Sequence, residues 1–157
     1  KKKKKSLEKH RKLVRYFACD EKSGTFPLTV FRVGERNIAS SLTSLTPDQR
    51  LVKDYKSLIN EAYEIDVRVE TLSDIIENKV NNTVFEKIRK IDFISIDTEG
   101  TELNVLKGLD FSSYEVTLLV VVNNYNDKKI EDFMVSKGYQ KDMRYKINDF
   151  YIKDAKW

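Results

Sequence analysis

The chain predicts an α/β fold built on a mixed sheet. Short apolar, β-favouring runs alternate with helical spacings along most of its length, which is the pattern of sheet and helix layers. The segment 91–108 then reads as a buried strand, an acidic turn and a short helix in direct succession. Finally, 157 residues at 40% hydrophobic content suffice for one domain with a real core, and no repeat or second composition regime divides them.

The elements follow in order. A lysine-rich helix end is expected at 5–11 and a strand at 13–19. Asp20 to Gly24 reads as a turn. Phe26, Leu28 and Val30 alternate with polar residues, predicting a strand to Val33 that pairs as a hairpin with its predecessor. Thr46-Pro47 reads as N-cap and first helical position of a helix to about Asn60. A strand is expected at 63–70, then a helix capped by Thr71 and running to about Asn78. Asn81-Asn82-Thr83 reads as a turn and 84–89 as a short amphipathic helix. Strand 92–97, helix 101–107, strand 116–122, helix 127–137 and strands 139–145 and 148–153 complete the chain.

The segment Ile91-Asp-Phe-Ile-Ser-Ile-Asp-Thr-Glu-Gly-Thr-Glu-Leu-Asn-Val-Leu-Lys-Gly108 carries the most chemistry. Ile91, Phe93, Ile94 and Ile96 supply the strand. Gly100 permits a sharp turn, Leu103 and Leu106 have helical spacing, and Gly108 is placed as a C-cap. Asp97, Glu99 and Glu102 therefore gather at the carboxyl end of a strand, the edge where open α/β sheets bind ligands. The plainer reading is that acidic residues in a first helical turn complement the helix dipole.

This string resembles the signature of the FkbM-type family of S-adenosylmethionine-dependent methyltransferases, roughly "ΦDΦΦKIDΦEGxExxΦLKG" with Φ apolar. Val67 to Ile76 is similar to the family's "VxxxTLDDLL", Ile38 to Leu42 to its "SSL" turn, and Leu13 to Gly24 to its strand ending in "AxSDxxG". The strand 116–122 followed by Asn123-Asn-Tyr125 stands where the family often shows "EHNY". The likeness covers nearly all of residues 6–157. It implies a Rossmann-like class I methyltransferase fold, with residues 1–12 as a basic helical lead-in and 13–157 as the methyltransferase-like domain. It also implies S-adenosylmethionine as cofactor and a hydroxyl on a small molecule or glycan as methyl acceptor. Asp97, Glu99 and Glu102 would be catalytic, Asp97 as base or as metal ligand and the glutamates orienting acceptor or turn. Ala18, Asp20 and Asp97 would lie on the cofactor side, and Ser40, Ser41, Asn124 and Tyr125 on the acceptor side.

Two departures accompany the matches. Family members begin with a strand and a "DVGAxxG" turn, whereas the five glycines here, at 24, 34, 100, 108 and 138, form no such turn. The first strand-helix-strand unit is therefore expected to be missing, with strands 13–19 and 92–97 flanking the gap. The strands would come from upstream residues, a second copy or another chain, or the sheet would close differently. Val122-Asn123 also replaces the family's "EH". A degenerate domain kept for assembly, without catalysis, is the alternative expectation.

Composition narrows the remaining classes. Cys19 is the one cysteine, so no internal disulfide forms, a cytoplasmic setting is expected, and the thiol reads as buried and inert. His10 is the one histidine, which excludes a structural Cys/His zinc site and disfavours a Ser-His-Asp mechanism. No metal is assigned, although carboxylates leave an oxygen-ligand site open. No apolar run approaches the roughly 18–20 residues of a membrane span. The net charge of +4 hides a basic first fifteen residues and a mildly acidic remainder. The lysines have no interleaved aromatics, so a solvated helix is expected there rather than a nucleic-acid arm.

Overall fold

The computed structural model describes residues 18–34, 38–39, 43–83 and 87–153. The basic lead-in, most of the first predicted strand, and Ser40 and Ser41 lie outside them. The strands are β1 (Ala18–Cys19), β2 (Gly24–Val33), β3 (Ile38–Ala39), β4 (Ile59–Glu70), β5 (Lys90–Ile96), β6 (Glu115–Val122), β7 (Tyr139–Tyr145) and β8 (Asn148–Lys153). The α-helices are α1 (Gln49–Asp54), α2 (Leu72–Ile75), α3 (Glu102–Lys107) and α4 (Lys128–Ser136).

The α/β class is as expected, but one mixed sheet is replaced by two. The first has the order β1-β4-β2-β3 and the second β5-β6-β8-β7, each with one parallel pair. Among the described residues the first two strands do not pair as the predicted hairpin. β4 is long enough to take β2 along an antiparallel ladder from Gly24↔Val69 to Val33↔Ile59, and β1 sits parallel on its other edge at Ala18↔Val69. Val69 is thus flanked by both, and residues 20–23 cross over the end of β4. Ser23 fastens that crossing: its hydroxyl accepts the Thr71 N–H and donates to Asp74.

The same ladder shortens the predicted helix 47–60. Residues 56–58 form a 3₁₀ turn, and from Ile59 the backbone belongs to β4. The cap is Asp48 rather than Thr46, its carboxylate accepting the Arg50 N–H at 2.8 Å. Thr71 caps α2 as predicted, accepting the Asp74 N–H at 3.0 Å. A π-turn at 76–80 and a 3₁₀ turn at 81–83 continue it. Residues 84–86 of the predicted helix 84–89 lie outside the described residues, and 87–89 are not helical. Their backbone is committed elsewhere: Ile88 N–H donates to the Asn81 side chain and Arg89 C=O accepts from Glu115 N–H.

The core belongs to the second sheet. Val116, Leu119 and Val121 of β6 are fully buried beside Val105 and Leu106 of α3, Ile130 and Met134 of α4, and Tyr139 and Tyr151. The Tyr139 hydroxyl closes the base of this core, accepting the Val116 N–H and donating to the Val116 carbonyl. The first sheet joins through Cys19, which packs on the core, and through Gly108. A Cβ at Gly108 would stand 2.5 Å from the Asp20 carbonyl, and the Gly108 carbonyl accepts the Ser73 N–H. Gly108 ends α3 as predicted, but its φ of −74° is ordinary, so close approach is what requires glycine. β1 and β5 are the outer strands of their sheets on one side. An apolar groove of about 540 Å³ runs beside β5, lined by residues including Leu72, Ile76, Ile91 and the exposed Phe93.

Candidate functional site

Two adjoining hollows lie at the carboxyl ends of β1, β5 and β6. The first, about 420 Å³, is lined by Ala18, Cys19, Ser44, Asp97, Thr98 and Glu99 among others. The second, about 230 Å³, is lined among others by Asp48, Arg50, Gly100, Asn124, Tyr125 and Asp127. The loop 97–101 separates them.

That loop is held by Glu102. Its buried carboxylate accepts the Thr98 N–H at 2.9 Å and the Gly100 N–H at 3.1 Å. Fixed this way, the loop places Glu99 in the left-handed region, at φ 55°. That conformation costs energy outside glycine and persists only where the surroundings impose it. Gly100 has φ 112°, and a Cβ there would be 3.1 Å from the Asp48 backbone nitrogen and Cβ. Two requirements therefore converge on glycine: the turn and the close approach of the 46–48 segment. Asp97 is exposed at the end of β5 and borders the first hollow. The Glu99 carboxyl is pushed up by its burial, and further by the charges of Asp97 and Glu102.

On the β1 side, Ala18 and Cys19 line the first hollow. Burial, reinforced by the charge of Asp20, pushes the Cys19 thiol up to about 12, so it is no thiolate nucleophile at neutral pH. Asp20 lies beyond the lining. Its carboxylate accepts the Glu21 N–H, and its carbonyl packs on Gly108. Ser40 and Ser41 lie outside the described residues. Close by, buried Ser44 is held to β2 by reciprocal backbone bonds with Thr29.

The second hollow holds a polar cluster that spacing does not reveal. Arg50 bridges Asp48 at 2.6 Å and Asp127 at 2.5 Å, and its guanidinium lies 4.1 Å over the Tyr125 ring. The Tyr125 hydroxyl donates to Asp54 at 2.8 Å. Burial and this carboxylate raise it to about 12. Val122, where an acidic residue was expected, is buried and apolar. The structure thus brings Ala18, Asp97 and Glu99 to one hollow, and Glu102, Asn124 and Tyr125 to the other. Asp48, Arg50, Asp54 and Asp127 escaped the sequence reading because they come from separate segments. The pair Asp48-x-Arg50 was the one local hint. Among the described residues, no group of three or more His, Cys, Asp or Glu could hold a metal ion, and no helix is long and apolar enough to cross a membrane.

Comparison with known proteins gives the chain a family. The methyltransferase FkbM domain family matches residues 7–141. Methyltransferase sdnD of Sordaria araneosa is 29% identical over 128 residues, covering 74% of this chain and 49% of its own length. Methyltransferase 1 of Beauveria bassiana (strain ARSEF 2860) is 31% identical over 80 residues, covering 51% of this chain and 29% of its own length. The chain thus spans half or less of the length of these relatives. No solved structure matches it. With most of its length matched and the signature segment forming the strand-end edge, the chain belongs to the FkbM methyltransferase family.

Proposed function

We propose that this chain forms the acceptor-side part of an S-adenosylmethionine-dependent methyltransferase that methylates a hydroxyl of a small molecule or glycan. The observation that carries this reading is the exposed Asp97 carboxylate at the end of β5, beside a loop held in a strained shape by Glu102. The donor supplies a methyl group activated on a sulfonium. The chain's own residues fit it in part. The hollow at Ala18, Cys19 and Asp97 offers room at the strand ends, but the sequence contains no glycine-rich turn to cradle the remainder.

Asp97 accepts a hydrogen bond from the acceptor hydroxyl and takes up its proton, which leaves the oxygen the stronger nucleophile. Asn124 and Tyr125 orient the acceptor in the neighbouring hollow, and Arg50 and Asp54 keep the Tyr125 ring in place. Positioning of this kind accounts for much of catalysis in an in-line displacement. A second reading is a domain that keeps the fold for assembly, and the buried, apolar Val122 at the working edge favours it.

Calorimetric titration of the full-length protein with S-adenosylmethionine separates the two. Saturable binding in the micromolar range is expected. A folded protein that takes up no heat with S-adenosylmethionine would leave the assembly reading in its place.

A further inference from the structure

Behind the second hollow lies a buried ionic group that neither the family match nor the signature motif assigns. Asp149 on β8 is fully buried. Its carboxylate accepts from Asn123 Nδ2 at 2.8 Å, Arg144 Nη1 at 2.7 Å and Lys141 Nζ at 3.0 Å, and from the Tyr151 hydroxyl at 3.4 Å. Burial alone would raise its pKa, but these donors outweigh burial and hold it below the usual carboxylate range.

Asn123 passes this order to the working edge. Its Nδ2 also donates to the Asp127 carbonyl, and its Oδ1 accepts the Asp127 N–H at 2.8 Å. Its backbone N–H donates to Ile147 C=O at 2.7 Å, and its own carbonyl accepts from Arg144 Nη2 at 2.8 Å. A buried amide with every polar group engaged has one orientation. The segment it closes, 123–127, carries Asn124 and Tyr125 and passes through Asn126 at φ 54° before α4 begins.

We propose that Asp149 is a positioning residue that, acting through Asn123, sets the 123–127 turn and so the placement of Tyr125 in the acceptor hollow. This rests on the strand-end reading of the site, but its test needs neither donor nor acceptor. Spending three cationic or amide donors on one buried carboxylate is costly for stability alone, since buried ion pairs are often matched by apolar packing. Fixing the 123–127 turn is a use that the Asn123 contacts support.

The experiment is an NMR titration of the whole chain carrying ¹³Cζ-labelled tyrosine, with the Tyr125 signal assigned by Tyr125→Phe. The groups facing the Tyr125 hydroxyl are Asp54, Asp48 and Arg50. In Asp149→Asn and in Asn123→Ala the Tyr125 midpoint is expected to fall from about 12 toward the ordinary value of 10.0, as the ring leaves Asp54. Asp54→Asn should lower it as well, by the part that the Asp54 charge and hydrogen bond add to burial. Loss of global stability alone would not move the midpoint of molecules that remain folded, which circular dichroism verifies. Should Asp149→Asn fail to fold, Asn123→Ala carries the test, because it leaves the buried charge paired with Arg144 and Lys141. A folded variant with Tyr125 still near 12, while Asp54→Asn lowers it, would overturn the proposal.

Discussion

The two sheets differ in how they use a strand. β6 lies inside the second sheet and buries Val116, Leu119 and Val121 completely between its neighbours and helices α3 and α4. β4 lies inside the first sheet and has the longer ladder, yet only Val69 and Glu70 at its end are buried. Its Ile65 is 44% exposed. Backbone pairing alone gives β4 its shape, whereas apolar burial gives β6 most of its stability. The site sits where the two kinds of strand meet, with the rigid sheet supplying Asp97 and the 123–127 turn and the exposed sheet supplying Ala18 and Ser44.

Substitutions should sharpen that contrast. Leu119→Ala removes a fully buried side chain beside α3 and α4, and chemical denaturation should show a loss of about 2–5 kcal/mol. Asp149→Ala leaves Arg144 and Lys141 without their buried partner, and a loss of about 3–5 kcal/mol is expected from the same measurement. The wild-type stability also depends on acid through this group. Because its folded pKa is depressed, its contribution is fully present above the ordinary carboxylate range and is lost as pH falls through the lower, folded value. Glu99 has the opposite sign. Its raised pKa opposes folding as pH rises past the ordinary glutamate range, so Glu99→Gln should stabilise the protein at pH 7 and do little at pH 3.

Gly108→Ala strikes the joint between the sheets. The added methyl would press on the Asp20 backbone, and a melting experiment should register a loss of about 1–3 kcal/mol. Ile65→Ala on the exposed face of β4 should change stability by less than about 0.5 kcal/mol. Equal losses at Leu119 and Ile65 would erase the distinction between the sheets.

What the sequence made legible follows the same division. In the second sheet, strand 116–122 is found at 115–122, helix 127–137 at 128–136, and the last two strands fall on their predicted residues. Local periodicity suffices there because the apolar stripes of β6 and α4 are buried. In the first sheet β1, β2 and β4 fall within or over predicted strands, β3 was read as a turn, and the partners were not foreseen, since alternation marks a strand without naming its neighbour. β4 claimed residues 59–60 from a predicted helix for that reason. The site shows the same limit. Asp97 and Glu99 share one turn and were legible together. Arg50 and Asp127 meet only through the fold, as do Asp54 and Tyr125, and Asn123 and Asp149. Glu102 was singled out as a catalytic candidate, and its bonds to Thr98 and Gly100 give it the work of holding the turn.

The measurement that bears most directly on the proposed function is steady-state methylation by the full-length protein carrying Asp97→Asn, with donor affinity determined alongside. The proposed role acts on the acceptor oxygen during transfer, so kcat should fall by roughly 10²–10⁴-fold while the Kd for S-adenosylmethionine changes little. A variant with near-normal kcat would reduce Asp97 to a turn residue and contradict the assignment of the reacting centre to the end of β5.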